Sequence, residues 1–152
     1  MKLTRLKEIR EELELTQQNV ADVLNVKRGT YASWEAGTDV IPLKQLYNFA
    51  KHYKKSTDYI LKLTNIDTQT TIKNDISATI IGRNIEFIRK KTGLSQLNFA
   101  KSININQSTL WAYEKGKTLI TTLNLLSICK VYNITLDSLL NISDEKVPIP
   151  TY

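Results

Sequence analysis

The chain is predicted to be all-α, two tandem copies of one five-helix module. Three observations carry that expectation. A shift of 79 positions lays Leu6–Leu61 on Ile85–Leu140 without a gap, with identical pairs such as Ile9/Ile88, Arg10/Arg89, Leu15/Leu94, Gln17/Gln96, Ala21/Ala100, Asn25/Asn104, Glu35/Glu114 and Gly37/Gly116. Five glycines and three prolines are few for 152 residues, and apolar residues recur at the three- and four-residue spacing of amphipathic helices. The repeat exceeds the roughly 20–50 residues of a solenoid unit. It matches a small domain of about 60 residues, near the lower size for a self-sufficient core. The expected organisation is a module over 1–64, a polar, Thr-rich linker over 65–77, a second module over 78–143 and a tail over 144–152.

Each helix is visible in turn. In the first copy Leu3, Leu6, Ile9 and Leu13 mark one, and Val20, Ala21, Val23 and Leu24 a second. Tyr31 and Trp34 mark the third, Leu43, Leu46, Phe49, Ala50 and Tyr53 the fourth, and Tyr59, Ile60 and Leu63 a last turn. The second copy repeats this with Ile81, Ile85 and Ile88, then Phe99, Ala100 and Ile103, then Leu110 and Tyr113, then Leu123, Leu125, Leu126 and Ile128, then Leu136, Leu139 and Leu140. Thr16, Ser95, Ser56 and Thr135 are N-cap types at helix starts. Gly37 and Gly116 fit the stop after the third helices, and Pro42 fits the start of a fourth. Pro148 and Pro150 bar helix from the tail.

Composition narrows the function classes. The net charge is +6 and the pI near 9.4, with +3 in residues 1–64 and +5 in residues 78–143. Both modules are therefore basic, as a polyanion binder requires. The one cysteine, Cys129, sits at an apolar helix position and reads as a buried thiol. It allows no intrachain disulfide and suits a reducing, cytoplasmic setting. Met1–Glu14 is charged and helical in period, unlike a signal peptide, and no run approaches the roughly 18 apolar residues of a membrane span. His52 is the only histidine, so a zinc site or a His-based triad lacks material. No Gly-rich phosphate loop is present. The sequence predicts no cofactor, no metal and no enzyme.

The block that carries function is Leu15–Gly37. A short helix opens on Gln17 behind Thr16. Asn25, a residue that tolerates a left-handed backbone, makes a tight turn. A second helix, expected over 27–36, ends at Gly37. Ala21 is small where the helices must approach, and Val26, Tyr31 and Trp34 wedge their angle. Leu94–Gly116 has the same grammar, with its second helix over 106–115. This is a helix-turn-helix pattern. Leu15-Thr16-Gln17 with Trp34-Glu35-Ala36-Gly37, and Leu94-Ser95-Gln96 with Tyr113-Glu114-Lys115-Gly116, resemble the helix-turn-helix of the lambda-repressor-like, or xenobiotic-response-element (XRE), regulators. The resemblance covers both modules.

That resemblance implies roles. The second helix of each block would enter a DNA major groove. Lys27, Arg28, Gly29 and Ser33 would then face bases in the first copy, and Asn106, Gln107, Ser108 and Ala112 in the second. Arg28 can pair bidentately with guanine, and Asn106 or Gln107 with adenine. Gly29 and Ala112 offer little to read, so the copies should not read the same sequence. Gln17 and Gln96, at helix N-termini, would contact phosphate, as would Thr30, Thr109, Lys115 and Lys117. Asp39 in the first copy would repel it. Arg10 with Glu35, and Arg89 with Glu114, match the family's structural ion pair. Trp111, opposite Ala32, is equally suited to DNA or to a partner chain. The leading expectation is a double-stranded-DNA-binding transcriptional regulator, a small repressor of phage or mobile-element type acting as a homodimer. The alternative is a protein-binding module, such as an antitoxin or inhibitor, in which one or both copies bind a protein or mediate dimerisation.

Overall fold

The computed structural model describes residues 3–68, 71–72 and 74–140, and the chain divides into two compact units, Met1–Thr71 and Ile72–Tyr152. Every regular element among the described residues is a helix. The first unit holds α1 (Leu6–Glu12), α2 (Gln17–Leu24), α3 (Arg28–Ala36), α4 (Leu43–Tyr53) and α5 (Thr57–Ile60). In it α3 packs on α1 and α2, and α4 on α2 and α5. The second unit holds α6 (Ala78–Thr92), α7 (Gln96–Ser102), α8 (Gln107–Glu114), α9 (Thr122–Tyr132) and α10 (Leu136–Leu139). There α8 packs on α6 and α7, and α10 on α6 and α9. The tail, with Pro148 and Pro150, lies outside the described residues.

Local chemistry sets most helix starts. Thr16 Oγ1 accepts from the Asn19 N–H at 3.0 Å while Asn19 Oδ1 accepts from the Thr16 N–H at 2.8 Å, a reciprocal cap that satisfies two donors. Ser95, Ser56 and Thr135 cap α7, α5 and α10 in the simpler way. Ser77 and Thr121 do the same for α6 and α9. Pro42 precedes α4, whose N-cap it forms.

Several boundaries differ from the sequence pattern. Leu3 precedes α1, and Leu13 is its C-cap, because Glu14 turns left-handed at φ 57° and ends the helix. Leu63 lies beyond α5, past a second left-handed residue, Lys62. Lys27 and Asn106 are extended N-caps, so the third helix of each unit begins at Arg28 and Gln107, and α8 ends at Glu114 with Lys115 as its C-cap.

The first helix of each unit is tied to the fifth at one equivalent position. The Arg5 backbone N–H donates to the Ile60 carbonyl at 2.8 Å, and its guanidinium reaches the carbonyl of Thr64 and the side chain of Asn65. At the position 79 residues later, Asn84 Nδ2 donates to the Leu139 carbonyl at 2.9 Å. Asp67 also belongs to the first unit's fabric, accepting from Lys55 Nζ at 3.1 Å and the Ser56 N–H at 3.2 Å. Cys129 is buried, in agreement with its apolar helix position.

The units differ most in their first helix, of 7 residues in α1 and 15 in α6. The added turns of α6 press on the end of α8. A Cβ built on Gly82 would lie 2.2 Å from the Tyr113 carbonyl oxygen and 3.0 Å from that of Glu114. Gly82→Ala must therefore shift backbone against backbone, and should destabilise the second unit by about 2–3 kcal/mol with little effect on the first. Amide hydrogen exchange, read unit by unit, checks this. Glu14→Gly removes a left-handed side chain at the position Gly93 occupies in the second unit, and should stabilise the first unit by up to about 1 kcal/mol. Unchanged exchange in its slowest amides would contradict that.

Candidate nucleic-acid interface

The two helices of each block meet as their sequence requires. Asn25 is left-handed at φ 56° and Asn104 at φ 60°. The next residue in each case, Val26 or Ile105, donates its N–H to the carbonyl of Ala21 or Ala100 at 3.0 Å. Both alanines are fully buried. Trp34 and Tyr113 are core, with Trp34 meeting Tyr31 edge-on at 6.1 Å between ring centroids.

Both Arg–Glu pairs form and join three segments each. Arg10 Nε and Nη2 donate to the Glu35 carboxylate at 2.8 and 3.0 Å, and its Nη1 donates to the Leu15 carbonyl at 2.9 Å. Arg89 repeats this on Glu114 at 2.7 and 2.9 Å and on the Leu94 carbonyl at 3.3 Å. The fork therefore locks the first helix to the end of the third and to the residue just before the second. Glu35 and Glu114 are buried, at 4 % exposure, and a bidentate Arg is the geometry that offsets their desolvation. Burial alone would raise the Glu35 carboxyl. The Arg10 guanidinium, with smaller help from Tyr31 and Gln17, outweighs it and holds the group below its ordinary value. Burial, reinforced by the Glu35 charge, pushes the neighbouring Tyr31 phenol far up.

The outward faces of α3 and α8 are built differently. Lys27, Arg28, Gly29 and Thr30 are exposed at the start of α3. Arg28 Nη1 donates to Gln17 Oε1 at 3.2 Å, which orients the guanidinium, while the Gln17 side chain also supports the Glu35 carboxylate. Ser33 is turned back, donating to the Thr30 carbonyl at 2.7 Å and to Asp39 at 3.3 Å. In the second unit Asn106, Gln107 and Ser108 are exposed, while Thr109 and Ala112 are half-buried. Asn106 makes no capping bond, which leaves its amide on the surface. Gln96 donates to the Glu114 carboxylate at 3.2 Å, so it braces the ion pair, whereas Gln17 supports Glu35 and also accepts from Arg28. Lys115 and Lys117 are exposed just past α8. The matching stretch of the first unit carries Ala36, the last residue of α3, and then Thr38 and Asp39 instead.

The duplication is also what a comparison with known proteins finds. The helix-turn-helix family profile matches residues 6–60 and again 85–139. The chain belongs to the helix-turn-helix family. Among curated relatives it is 40 % identical over 57 residues to the HTH-type transcriptional regulator YqaE of Bacillus subtilis, covering 38 % of this chain and 49 % of that protein. It is 34 % identical over 61 residues to the HTH-type transcriptional regulator YobD of the same organism, covering 40 % and 54 %. It is 36 % identical over 56 residues to the antitoxin PezA of Streptococcus pneumoniae, covering 37 % and 35 %. The chain thus spans between about a third and just over half the length of the curated relatives it matches. No solved structure matches it at a significant level. No helix among the described residues is long and apolar enough to cross a membrane.

The depressed Glu35 carboxyl predicts an acid sensitivity with a definite sign. Its contribution to stability is complete above its ordinary value of 4.5 and is lost as the pH falls through and below that value. Glu35→Gln should lower the first unit's stability at neutral pH by about 3–5 kcal/mol and flatten its decline between neutrality and acid. Parallel pH profiles for variant and parent, followed by hydrogen exchange in α1 and α3, would contradict this.

Proposed function

We propose that the chain is a sequence-specific double-stranded-DNA-binding transcriptional regulator, a repressor in its simplest form, with a reading helix in each unit. The observation that supports it best is the Arg28–Gln17 pair. A base-reading cation at the head of α3 is held by a side chain at the head of α2, so one element aimed at a base and one aimed at phosphate are set in a single geometry. In this reading Arg28 and Lys27 address guanine edges in the first unit, and Asn106, Gln107 and Ser108 address adenine or mixed edges in the second. Gln17, Thr30, Thr109, Lys115 and Lys117 carry phosphate contacts. Gln96, engaged with Glu114, contributes by stiffening the clamp. Ser33, spent on Thr30 and Asp39, is a minor reader at most. Two unlike half-sites per chain follow, and four in a homodimer. A cytoplasmic location accords with the family and with the single buried cysteine.

A second reading has one observation in its favour. The first unit lacks phosphate-facing lysines after α3 and places Asp39 there, with Gly29 on its reading face. Together with the similarity to an antitoxin, this supports a mixed case in which that unit docks a protein or a second copy while the other holds DNA.

Selection of duplexes from a random pool, followed by anisotropy titration of the winner at two salt concentrations, separates these readings. The regulator reading expects a composite of two half-sites. Arg28→Ala should then cost about ten- to a hundred-fold at one guanine-containing half-site. Lys117→Ala should weaken all sequences evenly and reduce the log–log salt slope by about 0.9. If no duplex is enriched and binding is insensitive to salt, the regulator reading is wrong. A single half-site assigns the silent unit to a protein partner.

A further inference from the structure

On the outward face of α8, Gln107, Ser108, Trp111 and Lys115 stand at spacings of one, four and eight residues from the first, and all four are exposed. The intervening Leu110, Tyr113 and Glu114 are buried. Trp111 keeps 46 % of its surface open, and among the described residues no ring stacks on it. A large flat indole thus sits between two polar side chains at the head of the helix and a lysine at its end. The equivalent residue of the first unit is Ala32.

Resting on the DNA-binding reading above, we propose that Trp111 is a specificity-determining residue of the second unit that reads a thymine in the major groove. The occupant of this face follows from its surroundings. The patch is continuous with Gln107 and Ser108, which address base edges, and is flanked by Lys115 and Lys117, which suit a polyanion. Which base it takes follows from the indole itself. Its Nε1–H is a donor and it has no acceptor. Cytosine presents only an exocyclic amine donor in the major groove, which an indole cannot satisfy, and adenine sets its N7 acceptor beside such a donor and has no methyl. Guanine offers acceptors only. Thymine offers the O4 acceptor together with the C5-methyl, and so matches both the donor and the apolar plane. The first unit, with Ala32 and Gly29 there, has no such surface, and its half-site should lack the preference.

The test uses the full chain on its own selected duplex, with each thymine replaced in turn by deoxyuridine, which differs only by the methyl group. One position in the half-site that depends on Gln107 should lose about three- to five-fold in affinity, the size of one buried methyl. Every thymine in the other half-site should be nearly indifferent. With Trp111→Ala, thymine and deoxyuridine should bind equally at that position. With Trp111→Phe, which keeps a flat apolar ring, part of the preference should return. The proposal is overturned, with the DNA reading left standing, if Gln107→Ala changes selection at that half-site but no thymine there is sensitive to its methyl. It falls together with that reading if Gln107→Ala, Lys115→Glu and Trp111→Ala all leave selection and affinity untouched. A far-ultraviolet melt of each variant guards against misfolding, which an exposed position should not produce.

Discussion

A single forked ion pair holds each unit's reading helix in place. Arg10 on Glu35, and Arg89 on Glu114, connect the first helix, the segment before the second and the end of the third through three hydrogen bonds from one guanidinium. Apolar packing is non-directional and would tolerate some rotation of α3 or α8 about its axis. A planar donor fork facing a planar carboxylate tolerates little. A rotation of α3 that broke the fork would strand a buried carboxylate, so the angle at which side chains such as Arg28 leave the surface is fixed from below. Buried pairs of this kind rarely add net stability over apolar replacements. Their contribution here is orientation.

Above that shared frame the units have diverged. The first adds to its second-helix glutamine a bond from the exposed Arg28, and uses a serine and an aspartate to close the end of α3. The second spends its glutamine on the clamp and adds lysines beyond α8. It also braces α8 from behind with a first helix twice as long, seated on Gly82. The same fold thus carries an oriented arginine in one copy and added lysines with a longer brace in the other.

Much of this was legible in the sequence, and what was not has identifiable causes. Caps at Thr16, Ser56, Ser95 and Thr135, and left-handed turns at Asn25 and Asn104, depend on neighbours within a few residues, so residue type sufficed. The Arg–Glu pairs came from the resemblance, since nothing in a 25-residue separation announces a contact. Gly82 was silent because its role is set by the carbonyls of α8, more than 30 residues away. Arg5 and Asn84 were hidden because a backbone N–H in one unit and a side-chain amide in the other perform the same tie. Helix ends at Leu13 and Leu63 were overrun because apolar spacing runs into the C-cap before Glu14 in one case and past the left-handed Lys62 in the other. In the candidate site, positions along α3 and α8 were readable from helical period. Orientation was not: Ser33 faces inward because the chain reverses after Gly37 and brings Asp39 back to it.

The tie between first and fifth helices, made once by Arg5 and once by Asn84, closes each unit on itself from end to end. A closed unit carries its own unfolding free energy, and two such units in one chain need not melt together. Damage is thereby compartmentalised. A substitution that strains one unit's core acts first on that unit's own closure, so sequence drift in either copy is filtered chiefly by that copy's fold. Duplication of a self-closed unit gives a lineage two independent surfaces to diversify at the risk of only one, and the contrast between Trp111 and Ala32 is what such freedom leaves behind.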